Sequence, residues 1–215
     1  MTSGERRRVT VAATRLARWL DGFVERHGAT TVSADPTEVR LVGADGARAW
    51  LAVPFPPLPV NSVGDDDPRA ALIEHVTRAR TIGVLLARRR SHAVGVFVGD
   101  ELVASKVDSS YVQGTTRAGG WSQQRYARRR ANQAQASFAD AADTCARVLL
   151  PRVAELDALI CGGDRVAVDA VLADARLTPL AALRRPPFLT GPDPRLRVLQ
   201  ATPEQFRAVT VMLDP

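Results

Sequence analysis

Residues 114–132 read Gly114-Thr-Thr-Arg-Ala-Gly-Gly-Trp-Ser-Gln-Gln-Arg-Tyr-Ala-Arg-Arg-Arg-Ala-Asn132, a glycine-rich segment with a Trp and two Gln directly ahead of four arginines. No carboxylate occurs between Asp108 and Asp140, while Arg117, Arg125, Arg128, Arg129 and Arg130 all fall there. A local excess of positive charge on this scale fits a contact with a polyanion. Gly114, Gly119 and Gly120 permit close backbone approach, and Thr115 and Thr116 can donate to phosphates. The apolar residues that follow, Ala127, Ala131, Ala134, Phe138, Ala141, Ala142, Cys145, Val148 and Leu149, recur at three- and four-residue spacing up to Pro151. That periodicity predicts a helix of about 25 residues after the glycines, its alanine stripe suited to close packing on a sheet.

Upstream, the pattern changes to strands. Ile82–Ala87 is a continuous apolar run, Ala93–Val98 a second, and Gly99-Asp100 turns into a third at Leu102–Val107. An antiparallel meander with a buried first strand is the economical arrangement. Arg88, Arg89 and Arg90 mark its first turn, solvated or adding to a basic surface. Downstream, Leu156–Cys161 reads as a strand, Gly162-Gly163-Asp164 as a turn and Arg165–Leu172 as a helix. Leu177 to Phe188 reads as a Pro-interrupted connection and Leu196–Leu199 as a further strand, followed by a short helix at Pro203–Ala208 and the segment Thr210–Leu213. Sheet, protruding basic loop and long helix together predict an α/β fold of the three-layer α+β kind.

The N-terminal third is a separate reading. Val9, Ala12, Ala13, Leu16, Trp19, Leu20, Phe23 and Val24 have helical spacing, with Gly28 just past the end as a cap. Two β-rich runs then flank Ala44-Asp45-Gly46, a hairpin signal. The Pro-rich run from Pro54 to Pro59 and the polar run from Asn61 break the pattern. We therefore expect an N-terminal helix-plus-hairpin unit over residues 1–60 and a main domain over 61–215, with its loop at 109–124. Asp67 is placed as the cap of a helix that starts at Pro68 and runs to Arg80.

Bulk properties narrow the function classes. The chain has 215 residues, 46% of them hydrophobic, enough for a substantial core. It carries a net charge of +6 with an isoelectric point of about 10.5, and Lys106 is its only lysine. No apolar run approaches the roughly 20 residues that cross a bilayer and the start of the chain is polar, so a cytoplasmic location is expected, with no membrane contact. Cys145 and Cys161 lie in apolar contexts and read as buried thiols; His27, His75 and His92 share no ligand spacing with them, so no metal and no other cofactor is expected.

Over Gly119-Gly120-Trp121-Ser122-Gln123-Gln124-Arg125-Tyr126-Ala127-Arg128, the chain resembles the central catalytic domain of eukaryotic and archaeal class I release factors. There a Gly-Gly-Gln tripeptide precedes an Arg-rich helix. The likeness spans about Ala70 to Leu199. Without a gap, Trp121 occupies the family's Gln position; read as GxxQ, Gly120-Trp121-Ser122-Gln123 is similar to the motif of the Vms/Ankzf-like release factors, in their bacterial, actinobacterial-type branch. Both Gln123 and Gln124 stay open as the functional glutamine.

That resemblance implies a peptidyl-tRNA hydrolase, codon-independent and working in ribosome quality control on stalled or split large ribosomal subunits. The catalytic set would be Gln123 or Gln124 with Gly119 and Gly120. Arg117, Trp121, Arg125, Arg128, Arg129 and Arg130 would contact ribosomal RNA and the peptidyl-tRNA. No DNA partner is implied, and we expect a monomer off the ribosome. Two other readings stand beside it: an RNA-binding module without catalysis, and a phosphate- or nucleotide-binding enzyme using Cys161-Gly162-Gly163-Asp164. The second lacks both GxGxxG and GxxxxGK[ST].

Overall fold

A computed structural model describes residues 6–59, 67–109 and 122–214, with side chains of the long helix from residue 132 onward. In chain order the elements are strand β1 (Arg7–Val11), helix α1 (Leu16–His27), strands β2 (Thr30–Ala34), β3 (Glu38–Gly43) and β4 (Arg48–Ala52), and helix α2 (Pro68–Thr77). Strands β5 (Thr81–Arg88), β6 (Ser91–Val98) and β7 (Glu101–Ser109) follow, then helix α3 (Ser122–Val148). Strand β8 (Ala158–Gly163), helices α4 (Arg165–Leu172) and α5 (Thr178–Ala182), strand β9 (Arg184–Leu189), helices α6 (Leu196–Gln200) and α7 (Thr202–Phe206), and strand β10 (Val209–Asp214) complete it. The mixed α/β class expected from the sequence is observed, with two five-stranded sheets among the described residues.

The chain forms two compact units, Met1–Arg78 with Pro203–Pro215, and Ala79–Thr202. This division differs from the expected break after residue 60, because α2 and the C-terminal strand both belong to the first unit. Its sheet has the order β1-β10-β4-β3-β2. β10 lies between β1 and β4, pairing antiparallel with each. Alternate residues of β3 are buried and exposed, so one face is solvated and the other meets α1 and α2. Leu16, Leu20 and Phe23 of α1, Leu72 and Val76 of α2, and Val39, Leu41, Leu51, Val209 and Val211 of the sheet make its core. Asp67 caps α2 by accepting from Arg69 N at 3.0 Å, as expected. Val9, by contrast, is a strand residue: it pairs with Val211, a partner 202 positions away that helical periodicity cannot reveal.

The second unit carries the sheet β7-β6-β5-β8-β9. β5, β6 and β7 form the expected antiparallel meander, and β5 is buried along most of its length. β8 runs parallel to β5, and β9 parallel to β8. On one face Leu85, Val94, Val96, Leu159 and Cys161 pack with α3, α4 and α5. On the other, Leu199 of α6 sits over Gly95, where an added Cβ would stand 3.0 Å from its Cδ2.

Two expectations in this unit are corrected. Leu196–Leu199 is helical, with Leu199 fully buried, Val198 half-buried and Leu196 and Arg197 exposed. The connection expected over Leu177–Phe188 contains α5 and the strand β9; its Pro186 and Pro187 are accommodated because β9 is an edge strand whose register on β8 shifts across them.

Candidate functional site

The glycine-arginine segment connects β7, which ends at Ser109, to α3, which begins at Ser122. Arg117, Gly119, Gly120 and Trp121 lie outside the described residues. Gln123, Gln124, Arg125, Arg128, Arg129 and Arg130 lie within α3. The loop expected over 109–124 is therefore shorter at both ends, and both glutamines occupy the first helical turn. That turn contains no acidic residue. The first four N–H groups of a helix have no intrahelical partner and carry the positive end of its dipole, so the start of α3 favours anions before any arginine is counted.

What fixes the helix lies further along. Ala134 is its first buried position among the described side chains, followed by Ala141, Ala142 and Cys145. At 1.5 Å per residue, Ser122 stands about 18 Å along the axis from Ala134. Thr144 shares a buried hydrogen bond with His92 Nε2 of β6 at 3.1 Å, and Arg147 Nη2 donates to the same hydroxyl at 3.3 Å. Asp143 accepts from Arg176 at 2.7 Å, which ties α3 to the segment before α5.

Sheet register shows what else shares that end of the unit. Ser109 pairs with Ser91, Ser91 with Arg88, and Ala87 with Gly163. The departure point of the glycine segment, the Arg88–Ser91 turn and the β8–α4 turn are thus at one end of the sheet. Arg88 donates to the Gly191 carbonyl and lies 3.6 Å from Asp193; Arg89 and Arg90 are exposed.

The thiols and the imidazole of the second unit are buried. Cys145 and Cys161 are buried, and desolvation pushes each thiol up to about 12. Burial holds His92 below the ordinary imidazole value and so keeps it neutral. His75 is also buried, its Nε2 donating to the Pro54 carbonyl at 2.9 Å. Among the described residues, no three His, Cys, Asp or Glu side chains gather as a metal site. No described helix is long and apolar enough to cross a membrane.

The Gly162-Gly163 turn is structural. Gly163 has φ of 97° and a Cβ there would collide with the Ala87 carbonyl, so the turn is packed against β5. Asp164 accepts from Val166 N at 2.9 Å and occupies the cap with its own carboxylate. A cleft of about 280 Å³ beside it is lined by Arg165, Arg184, Arg185 and Phe188. The sequence reading missed this group; its only local signal is the basic pair in Arg-Arg-Pro-Pro-Phe, where the prolines suggested a plain connection.

A family model described as acVLRF1, Actinobacteria/chloroflexi VLRF1 release factor, matches residues 80–212, from β5 into β10. The chain belongs to this release factor family. The match takes in the whole α3 region with its Gly-Gly and Gln-Gln pairs. No curated protein matches the chain. Among solved structures, the archaeal translation termination factor aRF1 is similar at 13% identity with a TM-score of 0.44, over 92% of this chain and 73% of that one. A structure described only as an archaeal protein has 15% identity and a TM-score of 0.42, over 90% and 62%. The Vms1 mitochondrial localization core has 10% identity and a TM-score of 0.37, over 92% and 80%.

Proposed function

We propose that this release factor family member is a peptidyl-tRNA hydrolase that frees nascent peptides on the large ribosomal subunit without reading a stop codon. The observation that carries the reading is the position of Gln123 and Gln124 in the acid-free first turn of α3, within the region that matches the release factor family. An ester between a peptide and the ribose of a tRNA is already activated, so hydrolysis needs a positioned water rather than a strong base. A Gln side chain both donates and accepts hydrogen bonds and has no useful pKa, which suits positioning. The unpartnered N–H groups of the same turn are donors for the oxyanion that develops as water attacks.

Gly119 and Gly120 would allow the preceding segment to enter a narrow RNA-walled cavity. Arg125, Arg128, Arg129 and Arg130 would neutralise phosphates of ribosomal RNA and the tRNA acceptor stem, with Arg117 and Trp121 contacting RNA from the segment before the helix. Codon independence belongs to the same proposal and rests on the resemblance of Gly120-Trp121-Ser122-Gln123 to the motif of the Vms/Ankzf-like release factors. Stalled or split large subunits, the substrates of ribosome quality control, are then the natural target.

The test is peptide release from large subunits carrying a defined peptidyl-tRNA, with and without a stop codon and a small subunit. We expect release on isolated large subunits, unchanged by a stop codon. Release only with a stop codon in place would overturn the codon-independent part. Binding to the subunit with no release under any condition would leave a non-catalytic RNA grip.

A further inference from the structure

We infer that the cleft between the start of α4 and the edge strand β9 is a second RNA-binding site, taking a single-stranded ribosomal RNA segment by phosphate contact and base stacking. Arg165, Arg184, Arg185, Pro186, Pro187 and Phe188 line it, with Cys161 beneath. Three guanidinium groups share this one concavity. Their only carboxylate partner among the described residues is Asp169, which lies 2.6 Å from Arg184. Arg185 Nη1 donates only to the carbonyls of Ala182 and Arg184, at 3.0 and 2.8 Å, and Arg165 has no described ion pair. Two exposed cations are thereby held in place with no carboxylate paired to them among the described residues.

The remaining contacts favour RNA over a peptide or a free nucleotide. Arg165 Cζ lies 4.2 Å from the centroid of the Phe188 ring, a cation–π contact that fixes the guanidinium in the cleft, where both groups can stack with a base. Pro186 and Pro187 carry no backbone N–H, and the register of β9 on β8 shifts between Ile160 and Gly162, so β9 presents an incomplete edge to an added peptide strand. The neighbouring Gly163 turn is packed against Ala87 and capped by Asp164, so it offers no phosphate cradle of the mononucleotide kind. The β8–α4 turn beside Arg165 also lies at the sheet end where the glycine segment departs, as the pairing of Ala87 with Gly163 requires. The choice of RNA as ligand rests on the release factor reading; the geometry of the cleft does not.

The experiment uses the full chain carrying Arg125→Gln and Arg129→Gln to weaken the helix contribution, with and without Arg165→Gln and Arg185→Gln. Binding of a fluorescent single-stranded RNA 12-mer of mixed sequence is titrated between about 50 and 200 mM salt. Arg184 is left intact because its pair with Asp169 joins α4 to β9. We expect the cleft substitutions to weaken binding about tenfold and to lower the salt slope by about 1.4, the value for two phosphates on a single strand. Phe188→Leu, which keeps an apolar side chain but removes the ring, should weaken binding with the slope unchanged. Unaltered affinity in the cleft variants, with an unchanged unfolding midpoint, would overturn the site. So would equal displacement of the RNA by millimolar inorganic phosphate or adenosine monophosphate, which would mark a simple anion or nucleotide pocket. RNA binding needs no peptide release, so a failed hydrolase reading leaves a distinct result: the cleft variants still bind RNA more weakly while release is absent throughout.

Discussion

His92 Nε2 on β6 and Thr144 Oγ1 on α3 share a hydrogen bond of 3.1 Å, with both side chains buried and 52 positions apart in the chain. It joins the start of β6 to the helix whose first turn carries Gln123 and Gln124. Leaving one partner of a buried hydrogen bond unsatisfied costs about 1–3 kcal/mol. Thr144→Val should therefore lower stability by that amount in a denaturant titration, while Thr144→Ser should keep most of it.

The same pair sets a pH dependence. Burial lowers the His92 pKa, opposed by Asp140 on α3 and Asp108 on β7 and assisted by Arg147 on α3 and Lys106 on β7. A base with a depressed folded value binds its proton more readily unfolded. The stability it contributes is present above the ordinary value of 6.5 and is lost as pH falls from there through the folded value. The unfolding midpoint should decline below about pH 6.5, and His92→Gln should flatten that decline.

Gly163 and Gly191 make a contrasting pair. At Gly163, with φ of 97°, a Cβ would strike the Ala87 backbone; at Gly191 a Cβ meets nothing within 4 Å. Gly163→Ala should cost about 2–5 kcal/mol, from strain plus overpacking against β5. Gly191→Ala should change stability by less than about 0.5 kcal/mol. Thermal unfolding of the two variants separates them.

Cys145 and Cys161 are buried, with thiols pushed up to about 12 by desolvation. Neither should react with iodoacetamide at pH 8 in the folded protein, and both should react in denaturant. Mass spectrometry of the labelled chain gives the count directly.

Local chemistry explains which parts of the fold were legible in the sequence. The Asp45-Gly46 hairpin, the Asp67 cap, the Gly162-Gly163-Asp164 turn and the β5–β7 meander each depend on a few adjacent residues, and each is found. Val9 has helical spacing in the sequence but is a strand residue, because its partner Val211 enters only when the C-terminal strand inserts between β1 and β4. For the same reason the first unit's C-terminal segment was assigned to the second. The prolines of β9 concealed a strand whose edge position makes them harmless. At the candidate site, the arginine helix was legible from composition and periodicity. Its start is earlier than the sequence suggests, because Ser122, Gln123 and Gln124 are neutral enough to suit either a loop or a first turn.

The most direct test of the central claim is peptide release from large subunits loaded with peptidyl-tRNA and lacking a stop codon, comparing the unaltered chain with Gln123→Ala and Gln124→Ala. We predict that the unaltered chain releases peptide and that one of the two variants loses at least a hundredfold in rate while still binding the subunit, a loss of the size seen on removing one oxyanion donor. Equal release by all three proteins, or release that depends on the arginines alone, would contradict a catalytic glutamine in the first turn of α3.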